Sequence, residues 1–219
     1  MFVQADAARL PFADGAFNFV VSNHSLEHFE DLPGTLAEIG RVVRPQGALF
    51  VTVPDASTFC DKLYRWLARG GGHVNAFTSS TNLATMINRG TGLRHVTTRT
   101  LFTSLSFLNR RNSRSQRPRR LAFIGGGHEW SLFLFALISR SIDRRAGTRL
   151  SVYGWALYFG NISIGIDASS SLNVCLRCGA GTPSVLLKEK RLVSRRFRWF
   201  DVYRCPQCGA KNPFVEDPH

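Results

Sequence analysis

The sequence predicts an α/β fold followed by a small cysteine-bearing module, on three observations. A short apolar run at residues 17–21, a helical pattern through Leu32, Leu36, Ile39 and Val43, and a second apolar run at residues 48–53 form a βαβ unit, which favours a parallel sheet. Apolar residues make up 44% of the 219 and charged residues 20%, a composition that builds a core and excludes a wholly disordered chain. Four of the five cysteines fall in two close pairs near the C-terminus. The length leaves room for one ordinary domain plus such a module.

Taken in order, Phe2 to Ala5 reads as the end of a strand halted at Asp6. Phe17 to Val21 follows the turn Ala13-Asp14-Gly15 and reads as a buried strand. Asp31 is placed to cap the next helix, with Pro33 in its first turn, and Pro45-Gln46-Gly47 ends it. Ala48 to Val53 is a strand closed by Pro54. Residues 57–69 and 79–88 read as helices on either side of Gly70-Gly71-Gly72. Leu93 to Leu105 is rich in β-branched residues and reads as a strand. A basic loop holds Arg110, Arg111, Arg114, Arg117, Arg119 and Arg120. Trp130 to Ile142 is apolar enough for a buried helix, and Leu150 to Phe159 reads as a strand. Residues 168–173 read as a linker, and residues 174–219 as a separate module containing strand-like runs at Ser184–Leu187 and Phe197–Tyr203.

Residues 1–61 hold three basic and eight acidic side chains, whereas residues 62–219 hold 25 basic and seven acidic ones. The asymmetry points to an anionic partner for the later part of the chain, or to a solvated basic surface. No uncharged apolar run is long enough to span a bilayer: Leu150 to Ile166 is broken by Gly154, Gly160, Asn161 and Gly165. Asp6 stands where a signal peptide has its apolar stretch, so the cytoplasm is the expected compartment.

Cys175-Leu176-Arg177-Cys178-Gly179 and Cys205-Pro206-Gln207-Cys208-Gly209 have the form of two knuckles, separated by 26 residues. Each tight turn brings two thiolates to one ion, and the following glycine accepts a positive φ. Together they suit a tetrahedral zinc site of four cysteines, with an iron site or redox dithiols as the alternatives. The module resembles a zinc ribbon, and Cys60 stands apart. Lys188, Lys190, Arg191, Arg195, Arg196 and Arg198, with Phe197, Trp199 and Phe200, suit a grip on a nucleic-acid backbone with base stacking. They equally suit a half-buried strand with a solvated face.

Residues 4–55 resemble the class I S-adenosylmethionine-dependent methyltransferases of the type 11 group. The resemblance lies in Asp6-Ala7-Ala8-Arg9-Leu10-Pro11-Phe12-Ala13-Asp14-Gly15-Ala16-Phe17-Asn18, then Val20-Val21-Ser22-Asn23-His24-Ser25-Leu26-Glu27-His28, then Leu36 to Pro45. Further on, Gly72-His73-Val74-Asn75-Ala76-Phe77-Thr78 resembles the segment before a late helix of that family, and Tyr153 to Phe159 its last strand. The resemblance implies a methyltransferase-like domain over residues 1–167 and a Rossmann-like sheet lacking its first strands. The family's glycine-rich turn and ribose-binding acid precede the point matched by Met1. The nearest glycine pattern, Gly90-Thr91-Gly92, lies elsewhere. An upstream start, a degraded gene, or a partner chain completing the sheet would each account for this.

The resemblance also implies that Asp6 and Ala7 meet the adenine of S-adenosylmethionine and that Ser22, Asn23 and His24 line the methionine side. His24, His28 and His73 are the candidate catalytic residues, and the methyl acceptor is unknown. The alternative is a non-catalytic nucleic-acid-binding or interaction protein on a remnant methyltransferase scaffold.

Overall fold

A computed structural model describes residues 2–67, 72–112, 125–163, 171–197 and 200–217. Gly70, Gly71, most of the arginine loop (Arg114, Arg117, Arg119, Arg120), linker residues 168–170, Arg198 and Trp199 lie outside them, as do the side chains of Arg196 and Phe197. The chain divides into two compact units: residues 1–57, 71–100 and 154–165 form one, and residues 58–70, 101–153 and 166–219 the other.

The first unit is built on a four-stranded mixed sheet in the order β1-β2-β4-β3, where β1 is Phe17–Asn23, β2 Val43–Pro54, β3 His95–Phe102 and β4 Val152–Gly160. β1 and β2 are parallel, as the βαβ reading requires, and β4 runs antiparallel to β2. Helix α1, Leu32–Val42, makes the crossover. Asp31 caps it by accepting from the Gly34 amide at 2.9 Å, which satisfies one of the orphan donors of the first turn. The helix ends at Val42 and β2 begins at once, so Pro45 falls inside the strand rather than at the helix stop. The core joins Leu36 and Ile39 of α1, Leu49, Val51 and Val53 of β2, Leu83 and Ile87 of α3 (Ser80–Thr91), and Trp155, Leu157 and Phe159 of β4. Gly40 of α1 lies against the backbone of Thr91, where a Cβ would come within 2.5 Å of the Thr91 carbonyl oxygen. Gly90 lies against Leu36, and Gly92 caps α3 at φ +71°. The Gly90-Thr91-Gly92 pattern therefore serves helix packing and termination.

Phe2 to Ala5 forms no strand. A strand needs a hydrogen-bonding neighbour, and among the described residues β1 pairs only with β2. Phe19 and Val21 on β1 are 49% and 55% exposed, so β1 is not the buried strand expected of Phe17 to Val21.

In the second unit, α2 (Phe59–Leu67) and α4 (Glu129–Ala146) are helical as expected, but α4 is not a buried helix. Leu132 and Ala136 are covered, while Trp130, Leu134, Ile138 and Ile142 are exposed. Its apolar residues ring most of the helix, and packing covers only one side. Arg140 is fully buried and donates to the carbonyls of Thr103 and Val174 at 3.3 and 3.0 Å. The Cys60 thiol donates to the Leu150 carbonyl at 3.0 Å, and burial pushes it up to about 12, so it is not a nucleophile.

The cysteine module has a three-stranded antiparallel sheet, β5 (Val193–Phe197), β6 (Phe200–Arg204) and β7 (Lys211–Phe214). Ser184–Leu187, expected as a strand, lies in helix α5 (Ser184–Glu189). Leu187 enters the core while Val185 stays in solvent, and the Asp217 carboxylate accepts from the Ser184 amide at 2.6 Å, favouring the helix start. Ser171, Leu172 and Asn173 are buried, tied in by Asp217 and Val215.

Candidate functional site

At the carboxyl end of β1 the chain turns sharply. Asn23 accepts from the Thr52 hydroxyl at 2.7 Å, and the His24 amide donates to Thr52 on β2, at 3.0 Å to its carbonyl and 3.1 Å to its hydroxyl. His24 adopts φ +49°, a left-handed conformation uncommon outside glycine. Such conformations are held by their surroundings and concentrate at functional sites. Ser22 is buried beside this corner, and its hydroxyl has no hydrogen-bond partner among the described residues.

A short 3-10 turn, Leu26–His28, follows, and the loop through Val74 and Asn75 folds back onto it. The amides of Val74 and Asn75 both donate to the Glu27 carbonyl, and the Asn75 side chain donates to the carbonyls of Leu26 and Phe29. This brings His73 onto His28, with ring centroids 4.9 Å apart in an edge-to-face arrangement. His28 Nδ1 lies 2.9 Å from the Gly72 carbonyl, which orients the ring as an Nδ1 donor. His24 Nδ1 is 3.9 Å from the carboxylate of the buried Glu27. Burial, aided by His73 and His28, pushes the His24 imidazole down to about 4, so it is neutral at physiological pH. The three candidate histidines thus converge, and they gather around Glu27, which residue types alone did not single out. Glu27, His28 and His73 each bring one donor atom within 4.8 Å of the others, a set able to hold a proton or a divalent cation.

Asp6 sits apart in an exposed turn, where its carboxylate accepts from the Ala8 amide at 2.9 Å and its carbonyl from the Arg9 amide. Beyond it, Arg41 of α1 clamps the Leu10-Pro11-Phe12 segment. It donates to the carbonyls of Leu10 and Phe12 at 3.0 and 2.7 Å, to Asp14 at 2.7 Å and, bidentately, to Glu38 at 2.8 Å. Glu38 in turn accepts from the Leu10 amide at 2.7 Å. Hydrogen bonds from Arg41 and the Leu10 amide hold the Glu38 carboxyl down to about 2.

The second candidate site is the cysteine cluster. The Sγ atoms of Cys175, Cys178, Cys205 and Cys208 lie within 4.8 Å of one another, with Cys175–Cys208 at 3.5 Å and Cys178–Cys205 at 3.6 Å. Zn–S bonds of about 2.3 Å in a tetrahedron put sulfurs about 3.8 Å apart, so the residues fit the ion. The two knuckles are built alike. Gly179 and Gly209, at φ +79° and +71°, donate to the Cys175 and Cys205 carbonyls, and the Cys175 and Cys205 amides donate to the carbonyls of Ala180 and Ala210. The Arg177 amide and the Asn212 side chain both point at Cys175 Sγ, at 3.4 and 3.6 Å, the outer contacts that hold a thiolate ligand. Arg177 also forms a bidentate pair with Glu129.

The sheet is an open α/β one, and its polar corner lies at a strand's carboxyl end, where such folds place ligands. The comparison narrows this: residues 1–51 match the methyltransferase domain family. Among curated relatives, the mitochondrial arginine-hydroxylase of Danio rerio is 31% identical over 94 residues, covering 40% of this chain and 29% of that protein. The demethylmenaquinone methyltransferase of Mycolicibacterium vanbaalenii is 44% identical over 62 residues, covering 28% of this chain and 26% of that protein. The matches thus span under a third of those relatives. A protein of Bacillus halodurans, solved as a candidate methyltransferase, aligns at a TM-score of 0.45 and 20% identity, covering 72% of this chain and 75% of that one.

Proposed function

We propose that the chain is an S-adenosylmethionine-dependent methyltransferase, with residues 1–167 as the methyltransferase-like domain and residues 174–219 as a zinc ribbon. The observation that carries the reading is the family match over residues 1–51, which ends inside β2 and includes the Ser22–His24 corner. S-adenosylmethionine supplies an electrophilic methyl group, and transfer is a direct displacement governed by alignment. Ser22, Asn23 and His24 take the methionine side, and Asp6 and the Ala7 amide take the adenine. His28 and His73 face the acceptor and accept its proton where one must leave. The relatives include an arginine-hydroxylase and a demethylmenaquinone methyltransferase by name, so the acceptor is left unassigned. Four thiolates from Cys175, Cys178, Cys205 and Cys208 hold one structural Zn2+.

Titration calorimetry of the chain with S-adenosylmethionine tests this. Saturable binding, weakened about tenfold by Asn23→Ala, is the expected result. No binding heat overturns it.

A second reading is favoured by the exposed Lys190, Arg191, Arg195 and Arg204 of the ribbon. These suit a phosphate backbone, and salt-dependent RNA binding lost in Arg195→Glu is its signature. The outer edge of β1 suits pairing with a further strand, from this protein or from a partner chain.

A further inference from the structure

The second unit carries an apolar surface that the methyltransferase reading does not use. On α4, Trp130, Leu134, Ile138 and Ile142 recur every four residues and so form one ridge, about 18 Å long. Trp130, Leu134 and Ile138 are 67%, 49% and 51% exposed. Phe59 and Trp66 on α2 and Phe107 beyond β3 are also exposed, and Phe59 stacks on Phe135 of α4. Beside the ridge lies a cavity of about 320 Å³ between α2, α4 and the turn at Leu105–Leu108. Leu63, Leu108 and Phe135 line it, with Trp130, Leu134 and Ile138 at its wall. Contiguous exposed apolar surface of this kind marks an interaction site.

The charges around the ridge say what covers it. Exposed Arg110 and Arg111 stand near the amino end of α4, where Arg110 meets His128 and Arg111 meets Glu129. Arg144 and Arg145 stand exposed at its carboxyl end. Among the described residues, Arg110, Arg111, Arg144 and Arg145 outnumber the acidic side chains Glu129 and Asp143 of α4. Two copies of so basic a face repel each other, which disfavours self-association. Among the described residues no helix is long and apolar enough to cross a membrane. A helix with aromatic and aliphatic residues on one face and arginines at its margins suits binding in the plane of an anionic bilayer surface.

We propose that the α2–α4 face docks on an anionic phospholipid bilayer. Trp130, Leu134 and Ile138 enter the headgroup–acyl boundary, the flanking arginines meet lipid phosphates, and the cavity receives an acyl chain.

Flotation with vesicles of phosphatidylcholine and phosphatidylglycerol in equal parts tests this. The chain floats with the mixed vesicles, less with phosphatidylcholine alone, and less as salt rises. Trp130→Asp and Leu134→Asp, at exposed positions, each weaken vesicle binding about tenfold or more, with circular dichroism reporting whether the fold is kept. Brominated lipid quenches the tryptophan emission of the native chain, and the folding-neutral Trp130→Phe diminishes that quenching. Failure of the native chain to float overturns the proposal, as does equal flotation by folded Asp variants. Concentration-dependent dimerisation through this face without vesicle binding also overturns it.

Discussion

Arg41 shows how a single side chain can hold a motif in place. The segment Leu10-Pro11-Phe12 has no helix or strand of its own, and its carbonyls are satisfied by the guanidinium. Arg41→Ala frees that segment, and trypsin then cuts after Arg9 faster than in the native chain, which timed proteolysis measures. The pH dependence follows from Glu38. Its carboxyl is lowered in the folded chain, from 4.5 to about 2. The stabilisation it gives is therefore complete above the unfolded value and fades as pH falls through the folded one. Digestion by pepsin, an acid-active protease, between pH 4.5 and about 2 shows this loss as faster cutting within residues 10–12, and Glu38→Gln removes that pH dependence. Arg140 is a different case. It is wholly buried, its hydrogen bonds among the described residues go to carbonyls, and burial pushes its guanidinium below its ordinary value.

Helix packing explains the glycines of the first unit. Gly40→Ala gains up to about 1 kcal/mol of helix propensity. It also drives a Cβ into the backbone of Thr91, which cannot swing aside as a side chain would. Overpacking of this kind costs about 1–3 kcal/mol and outweighs the gain. The expected result is a lower urea midpoint with an unchanged slope. Local signals of this region are legible in the sequence, because Asp31, Pro33 and the spacing of Leu32, Leu36 and Ile39 act within one helix. Readings fail where the answer depends on distant neighbours. Phe2 to Ala5 lacks a pairing strand, α4 has apolar residues on both sides with only one side covered, and the four-residue run at Ser184–Leu187 is too short for its period to separate strand from helix. The histidines are legible as residue types. Their convergence is not, because it depends on Val74 and Asn75 bonding to Glu27 across the fold.

At the scale of the whole chain, the ribbon and the sheet have separate cores. Leu187, Tyr203 and Phe214 close around the cysteines, whereas Leu49, Val51 and Leu157 close around the sheet. On the proposed zinc reading, so small a core relies on the metal. Chelation, or Cys205→Ser, is expected to strip one zinc per chain, read by elemental analysis. It also abolishes hydrogen-exchange protection at Val202 and Tyr203 while leaving Leu49 and Val51 protected. Zinc content unchanged by Cys205→Ser would remove that ion from the fold. The paired cysteines made this module the most legible part of the sequence, since two knuckles can be recognised without knowing what lies between them.

The strand order has a consequence for biosynthesis. β4 sits between β2 and β3, yet it is the last of the four to be made. While the ribosome adds roughly a hundred residues after β2, the Leu49-Phe50-Val51 backbone waits with one flank unpaired, the kind of interval in which nascent chains stick to one another. Chaperone dependence during synthesis should therefore end only when Phe159 has cleared the exit tunnel.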